Sequence, residues 1–240
     1  MSEEPEERED LHPPDASAGD RAHAVVRAGL SSIPVVGGSA AELFLALVTP
    51  PLERRRQEWM ASVGEALQTL SEDEGIDLDA LGDDPAFIDT VLQASNAALR
   101  TSQEAKREAL LNAILNSATP SAPDAVIRHI FIGLVDEFTD WHLRVLALFD
   151  DPASWFEGQG QPRPNIHMGG LNHILGEAYP SLASRRDLYD QIWKDLYSSG
   201  LVSTEGLHTM MSEQGLFQRR STDLGREFLE FLRNPVAAEE

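Results

Sequence analysis

The sequence predicts a mainly α protein, a helical bundle that gives way in its last third to a smaller module carrying a short β-hairpin. Two patterns carry this reading. Apolar residues recur with the 3.6-residue period of a helix through most of the chain, and no segment before residue 139 alternates long enough to form a strand. After residue 139 the helices shorten, and a β-compatible run, Leu201-Val202-Ser203, follows a stop at Gly200. A hydrophobic content of 42% over 240 residues is enough for a substantial core.

Taken in order, residues 1–20 read as a disordered acidic tail, with eight acids, one Arg and three prolines. Ala22–Leu30 reads as a short helix, broken by Ser31-Ser32-Ile33-Pro34-Val35-Val36-Gly37-Gly38-Ser39. A second helix runs from Ser39 to Val48. Thr49-Pro50 then opens a helix that keeps Leu52, Trp59, Val63, Leu67 and Leu70 on one face; equally, Pro50 lies within one long helix from Ser39 to Leu70. Residues 71–83 are acidic and turn-like. Asp84-Pro85, Thr101 or Ser102, and Asp124 each open a further helix, which completes a bundle over 21–138. Thr139 caps a helix bearing Trp141, Val145, Leu148 and Phe149, and Asp151-Pro152 ends it. A short helix follows at Gly170–Tyr179, and Ser184 caps a longer one that runs to Ser199. The last helix spans Thr222–Leu232, and 233–240 reads as a second tail.

Helix, helix, helix, short strand, hairpin, helix is the order of a winged helix-turn-helix. The string Gly200-Leu201-Val202, followed later by Thr222-Asp223-Leu224-Gly225-Arg226-Glu227-Phe228, resembles the end of many bacterial winged-helix modules. The expected fold is therefore a helical bundle followed by a winged-helix-like module over 139–232.

Charge narrows the function. Forty acids against 19 bases leave a net charge of −21, which repels phosphate backbones at long range. Cysteine is absent, so disulfide frameworks, zinc ribbons and thiol nucleophiles are excluded. The acidic start lacks the pattern of a secretory signal, and a cytoplasmic location is the expectation. A winged module would place Arg185, Arg186 and Lys194 in a groove and Arg219 and Arg220 on its wing. However, Asp187, Asp190 and Asp195 interleave on the same helix, and 139–232 holds 8 bases against 13 acids. Nucleic acid is thus disfavoured, and packing against protein is the expected use of the module.

From Gly29 to Leu52 there are 24 residues and a single charge, Glu42, followed at once by Arg54, Arg55 and Arg56. Ser31, Ser32, Pro34, Gly37 and Gly38 interrupt this run. A two-helix hairpin buried in the bundle is the favoured reading, and conditional insertion into a membrane is the alternative. Val35, Val36, Leu43, Phe44 and Leu47, with the three arginines, are the residues that would contact a membrane or partner. Chemistry finds little to hold. The seven histidines make no H-x-x-x-H pair. Val36-Gly37-Gly38-Ser39 and Met168-Gly169-Gly170 lack the Lys of a phosphate loop. No cofactor, metal or catalytic set is expected.

Three strings resemble one another's setting in a known group: Ile33-Pro34-Val35-Val36-Gly37-Gly38 leading to Arg54-Arg55-Arg56-x-x-Trp59, the run from Leu134 to Leu146, and the closing Thr222-Asp223-Leu224-Gly225. Their layout is similar to that of poorly characterised bacterial helical proteins of the abortive-infection alpha type. The resemblance implies a role in phage defence through a membrane or a partner, and assigns no functional residue. The expected protein is a non-enzymatic helical interaction protein, with a protein partner or a second copy as its ligand.

Overall fold

The computed structural model describes residues 37–236, without the side chains of residues 37–41 and 43. The tail expected over 1–20, the Ala22–Leu30 helix, Val35 and Val36, and residues 237–240 of the expected second tail lie outside the described residues. The protein is mainly α, with twelve helices and one two-stranded antiparallel ladder among the described residues. The chain divides into two compact units, 1–55 and 56–240.

Helix α1, Gly37–Glu74, is continuous through Pro50 and Pro51, so the single long helix is the reading that holds. Each proline lacks the N–H that would bond the carbonyl four residues earlier, here Ala46 and Leu47. In the second unit the helix buries Trp59, Val63 and Leu70, and Trp59 Nε1 donates to Ser95 Oγ at 2.9 Å. The acidic stretch expected as a turn contains a five-residue helix, α2 (Leu78–Gly82), because the Asp77 side chain accepts from the Asp79 and Ala80 N–H groups.

Three helices build the bundle: α3 (Pro85–Arg100), α4 (Glu104–Ser117) and α5 (Ala125–Glu137). Asp84 and Asp124 cap α3 and α5 as expected. Gln103, not Thr101 or Ser102, precedes α4. Helix α6 (Asp140–Asp150) starts after Thr139, and α7 (Pro152–Gly158) follows directly. Asp151-Pro152 ends α6 as expected, and Pro152 also opens α7: it sits in the first turn, where a missing N–H costs nothing, and Asp151 accepts from Ser154 N.

The remaining elements are β1 (Met168–Gly169), α8 (Leu171–Ala178), α9 (Pro180–Ala183), α10 (Arg186–Ser198), β2 (Met211–Ser212), α11 (Glu213–Leu216) and α12 (Asp223–Phe231). The ladder pairs Met168 with Ser212 and Gly169 with Met211. Val202 makes a single antiparallel bridge to Ser221. Gly200 closes α10 at φ +73°, the left-handed conformation glycine adopts without strain.

One core runs through residues 56–240, from Phe131, Ile132 and Val135 to Leu146, Phe149, Trp193, Leu196, Phe228 and Phe231. There is no break at residue 138, where the bundle was expected to end. Phe131 meets Phe228 edge-on at 5.2 Å, and Asn112 and Asn116 donate to the carbonyls of Leu232, Phe231 and Arg233. Those amides satisfy carbonyls at the end of α12 that no helical partner reaches.

Candidate functional site

The expected contact residues divide sharply in exposure. On α1, Phe44 is 59% and Leu47 64% exposed, and Leu45 and Leu52 are also exposed. The segment from Leu43 to Val48 is apolar on every side of the helix, a pattern that normally belongs to a buried helix. The arm that would cover Phe44 and Leu47 in the expected hairpin, Ala22–Leu30, lies outside the described residues, and on α1 itself both side chains are exposed. Arg54 and Arg56 are exposed, and Arg55 is half-buried. No helix among the described residues is long and apolar enough to cross a membrane.

The basic set does not form one positive face. Arg185 and Lys194 are exposed. Arg186 pairs with Asp190 at 3.3 Å, and Asp190 also binds His208 at 2.7 Å. Arg219 donates to Asp150 O at 3.0 Å and pairs with its carboxylate at 3.5 Å. Arg220 is buried, and its Nη2 donates to Gly215 O. As a contact to a phosphate backbone Arg220 is corrected: its guanidinium is packed inside the fold. The loop after Val202 also leans on α10, through a bond from Trp193 Nε1 to Thr204 O at 2.8 Å and the buried Leu207.

A polar seam that sequence reasoning missed joins α4, α5, α6 and α10. Lys106 is buried and donates from Nζ to Asp136 O at 2.9 Å; burial holds its pKa below the usual lysine value. Gln103 Oε1 accepts from Asp140 N at 3.1 Å. Arg100 pairs with the Asp136 carboxylate. His142 stacks on Phe138 with ring centroids 4.6 Å apart. The Thr139 N–H donates to His142 Nδ1 at 3.1 Å, so Nδ1 is the acceptor and the ring proton lies on Nε2, facing Asp195 Oδ2 at 3.4 Å.

Thr139 Oγ1, His142 and Asp195 thus stand in a row, with Oγ1 2.9 Å from Nδ1. The row forms a helix cap. The same geometry recurs at α8, where the Gly170 N–H donates to His173 Nδ1 at 3.1 Å. In both, an imidazole at the third helical position caps the backbone N–H at the helix start, the part that Glu plays in a capping box. The signal was present in the sequence as Thr139-x-x-His142 and Gly170-x-x-His173. Gly169 and Gly170, weighed as an anion loop, have a packing reason: a Cβ on Gly170 would lie 2.7 Å from the Leu207 carbonyl oxygen. No group of three potential metal ligands occurs among the described residues.

His142 makes stability depend on pH. Burial, opposed by Asp195, lowers its pKa from the usual 6.5. A histidine with a depressed folded pKa binds its proton more readily when unfolded. Its contribution is complete above pH 6.5 and is lost as pH falls through 6.5 toward the folded value. Urea unfolding between pH 5 and 8, in wild type and in His142→Asn, should show a steeper loss on acidification in wild type. Equal pH slopes would count against this account.

Compared with known proteins, the chain matches no family model, no curated protein and no solved structure.

Proposed function

We propose that the protein is a non-enzymatic, cytoplasmic interaction protein of a bacterial phage-defence or stress system, which binds a protein partner through the exposed apolar segment of α1. The observation that carries this is the exposure of Phe44, Leu45, Leu47 and Leu52 on one helix. Contiguous apolar surface in contact with water is costly, and such patches mark interaction surfaces. Arg54 and Arg56 at the border supply the polar rim that partner-binding patches carry.

In this reading residues 139–232 are a winged-helix-like module used for packing. The order α6, β1, α8, α10, the Val202 bridge, β2 and α12 supports it. The interleaved acids and the buried Arg220 weigh against its use on DNA.

The test is affinity capture of the full-length chain from its native host, beside a double variant, Phe44→Glu with Leu47→Glu. A specific protein should be recovered with the wild type and lost with the variant. Both positions are exposed, so the variant's stability should change by less than about 0.5 kcal/mol. Recovery of a promoter fragment with no protein partner would overturn the proposal. A liposome-leakage assay on the same pair addresses the membrane alternative: release by the wild type alone would move the partner from a protein to a bilayer.

A further inference from the structure

We propose that the cavity beside β2 and α11 is an anion site, which takes a small ligand bearing a carboxylate or phosphate, with Arg163 in direct contact and Arg220 as the buried charge behind it. The cavity measures about 560 Å³ and is lined by Arg163, Ser212, Gln214, Gly215, Phe217 and Gln218, together with Ala153. That volume lies within the range of small-ligand pockets. Its polar lining is rich in donors: a guanidinium, two amides and a hydroxyl. In a chain of net charge −21 this is a local reversal of sign.

Two arginines give the site its character. The Arg163 guanidinium lies 3.8 Å from the centre of the Phe217 ring, which restrains its plane. Its acidic partner among the described residues is the half-exposed Glu213, at 3.7 Å, beyond hydrogen-bond reach and shared with His167 at 3.6 Å. A pair so loose is readily replaced by a bidentate oxyanion.

Arg220 is the second, independent observation. It is 9% exposed; Nη2 donates to the carbonyl of Gly215 in the cavity wall and lies 3.1 Å from Met211 Sδ, and Nε has no partner among the described residues. No carboxylate among the described residues pairs with it, and burial lowers its pKa. A buried guanidinium without a counter-charge is unfavourable in the empty fold. Gly215, whose carbonyl Arg220 holds, also lines the cavity, so an anion bound there supplies counter-charge one residue away. The site is separate from α1, so its failure and that of the partner surface are distinguishable.

Isothermal titration of the full-length protein with inorganic phosphate, and separately with acetate, tests the site at ionic strength fixed with chloride. At least one probe should bind saturably at one site. Phosphate alone identifies a phosphate-bearing ligand, acetate alone a carboxylate, and both together the shared oxyanion chemistry. Arg163→Gln should weaken binding by about tenfold or more, equivalent to about 1.4 kcal/mol. Arg186→Gln, which removes an exposed guanidinium paired elsewhere, should leave the affinity unchanged. Arg220→Met should remove the response, and the exposed Arg163 variant keeps the test decisive should that core variant fail to fold. No saturable binding of either probe, or Arg163→Gln binding as tightly as wild type, would overturn the proposal.

Discussion

Replacing Gly225 with alanine should destabilise the protein by about 2–3 kcal/mol, although alanine is the better helix former. Gly225 is in the first turn of α12, which lies directly on the backbone of Leu201. A Cβ there would stand 2.2 Å from the Leu201 carbonyl oxygen and 3.1 Å from its carbonyl carbon. Neither atom belongs to a flexible side chain, so the clash must be relieved by moving a backbone. The same carbonyl accepts from the Thr222 N–H at 3.0 Å, and Thr222 Oγ1 caps the Gly225 N–H at 2.9 Å. Displacing α12 therefore strains its cap and pulls on Phe228 and Phe231 in the core. Gly64, exposed in α1, is the control: nothing lies within 4 Å of its ideal Cβ. Gly64→Ala should stabilise by about 0.5–1 kcal/mol, the ordinary helix gain. Opposite signs at the two glycines, read by urea unfolding, are the expected result. A neutral or stabilising Gly225→Ala would show that the close approach is not maintained in solution.

The Leu224-Gly225 string shows which parts of the structure could be read from one dimension. Local chemistry was readable. Asp84-Pro85, Asp124, Thr139 and Thr222 all stand where side-chain caps precede helices, and Gly200 stops α10 as glycine does. Errors arose where one residue type serves two local purposes. Asp151-Pro152 does stop α6, yet the same missing N–H makes proline a good first helical residue, and α7 starts there unforeseen. Pro50 allows two readings because a kink and a helix start look alike in sequence. Contacts between distant residues were not readable at all. Met168-Gly169 is too short to alternate, and its pairing with Met211-Ser212 depends on how α8 and α10 fold between them. The same limit applies to the candidate sites. Charge counting rightly flagged acids among the basic residues of α10, but Arg219 and Arg220 are adjacent in sequence and differ in fate. One reaches Asp150 at the surface and the other points to Gly215 inside. Exposure of Phe44 and Leu47 could not be foreseen either, since apolar periodicity says that a face wants cover and not what covers it.

Phe131→Ala should cost about 3–5 kcal/mol, a large share of the 5–15 kcal/mol typical of a domain. The ring is fully buried and touches Phe228 at 5.2 Å and Phe231 at 5.7 Å, so its removal leaves a cavity bounded by two aromatic side chains from α12. These partners come from α12, the last helix among the described residues. A separate bundle over 21–138 and module over 139–232 would confine the damage to one part, whereas a shared core spreads it to both. The shared core of residues 56–240 should therefore unfold in one transition, with the same midpoint by far-UV circular dichroism and by tryptophan fluorescence. The variant should keep that coincidence at a lower midpoint. A double-mutant cycle of Phe131→Ala with Phe228→Ala should fall short of additivity by about 0.5–1.5 kcal/mol, the usual worth of an aromatic pair beyond its buried area. A biphasic transition, in which the region around Trp193 survives the loss of the region around Trp59, would refute the shared core. It would also return residues 139–232 to the status of an independent module, able to bind a partner without the bundle.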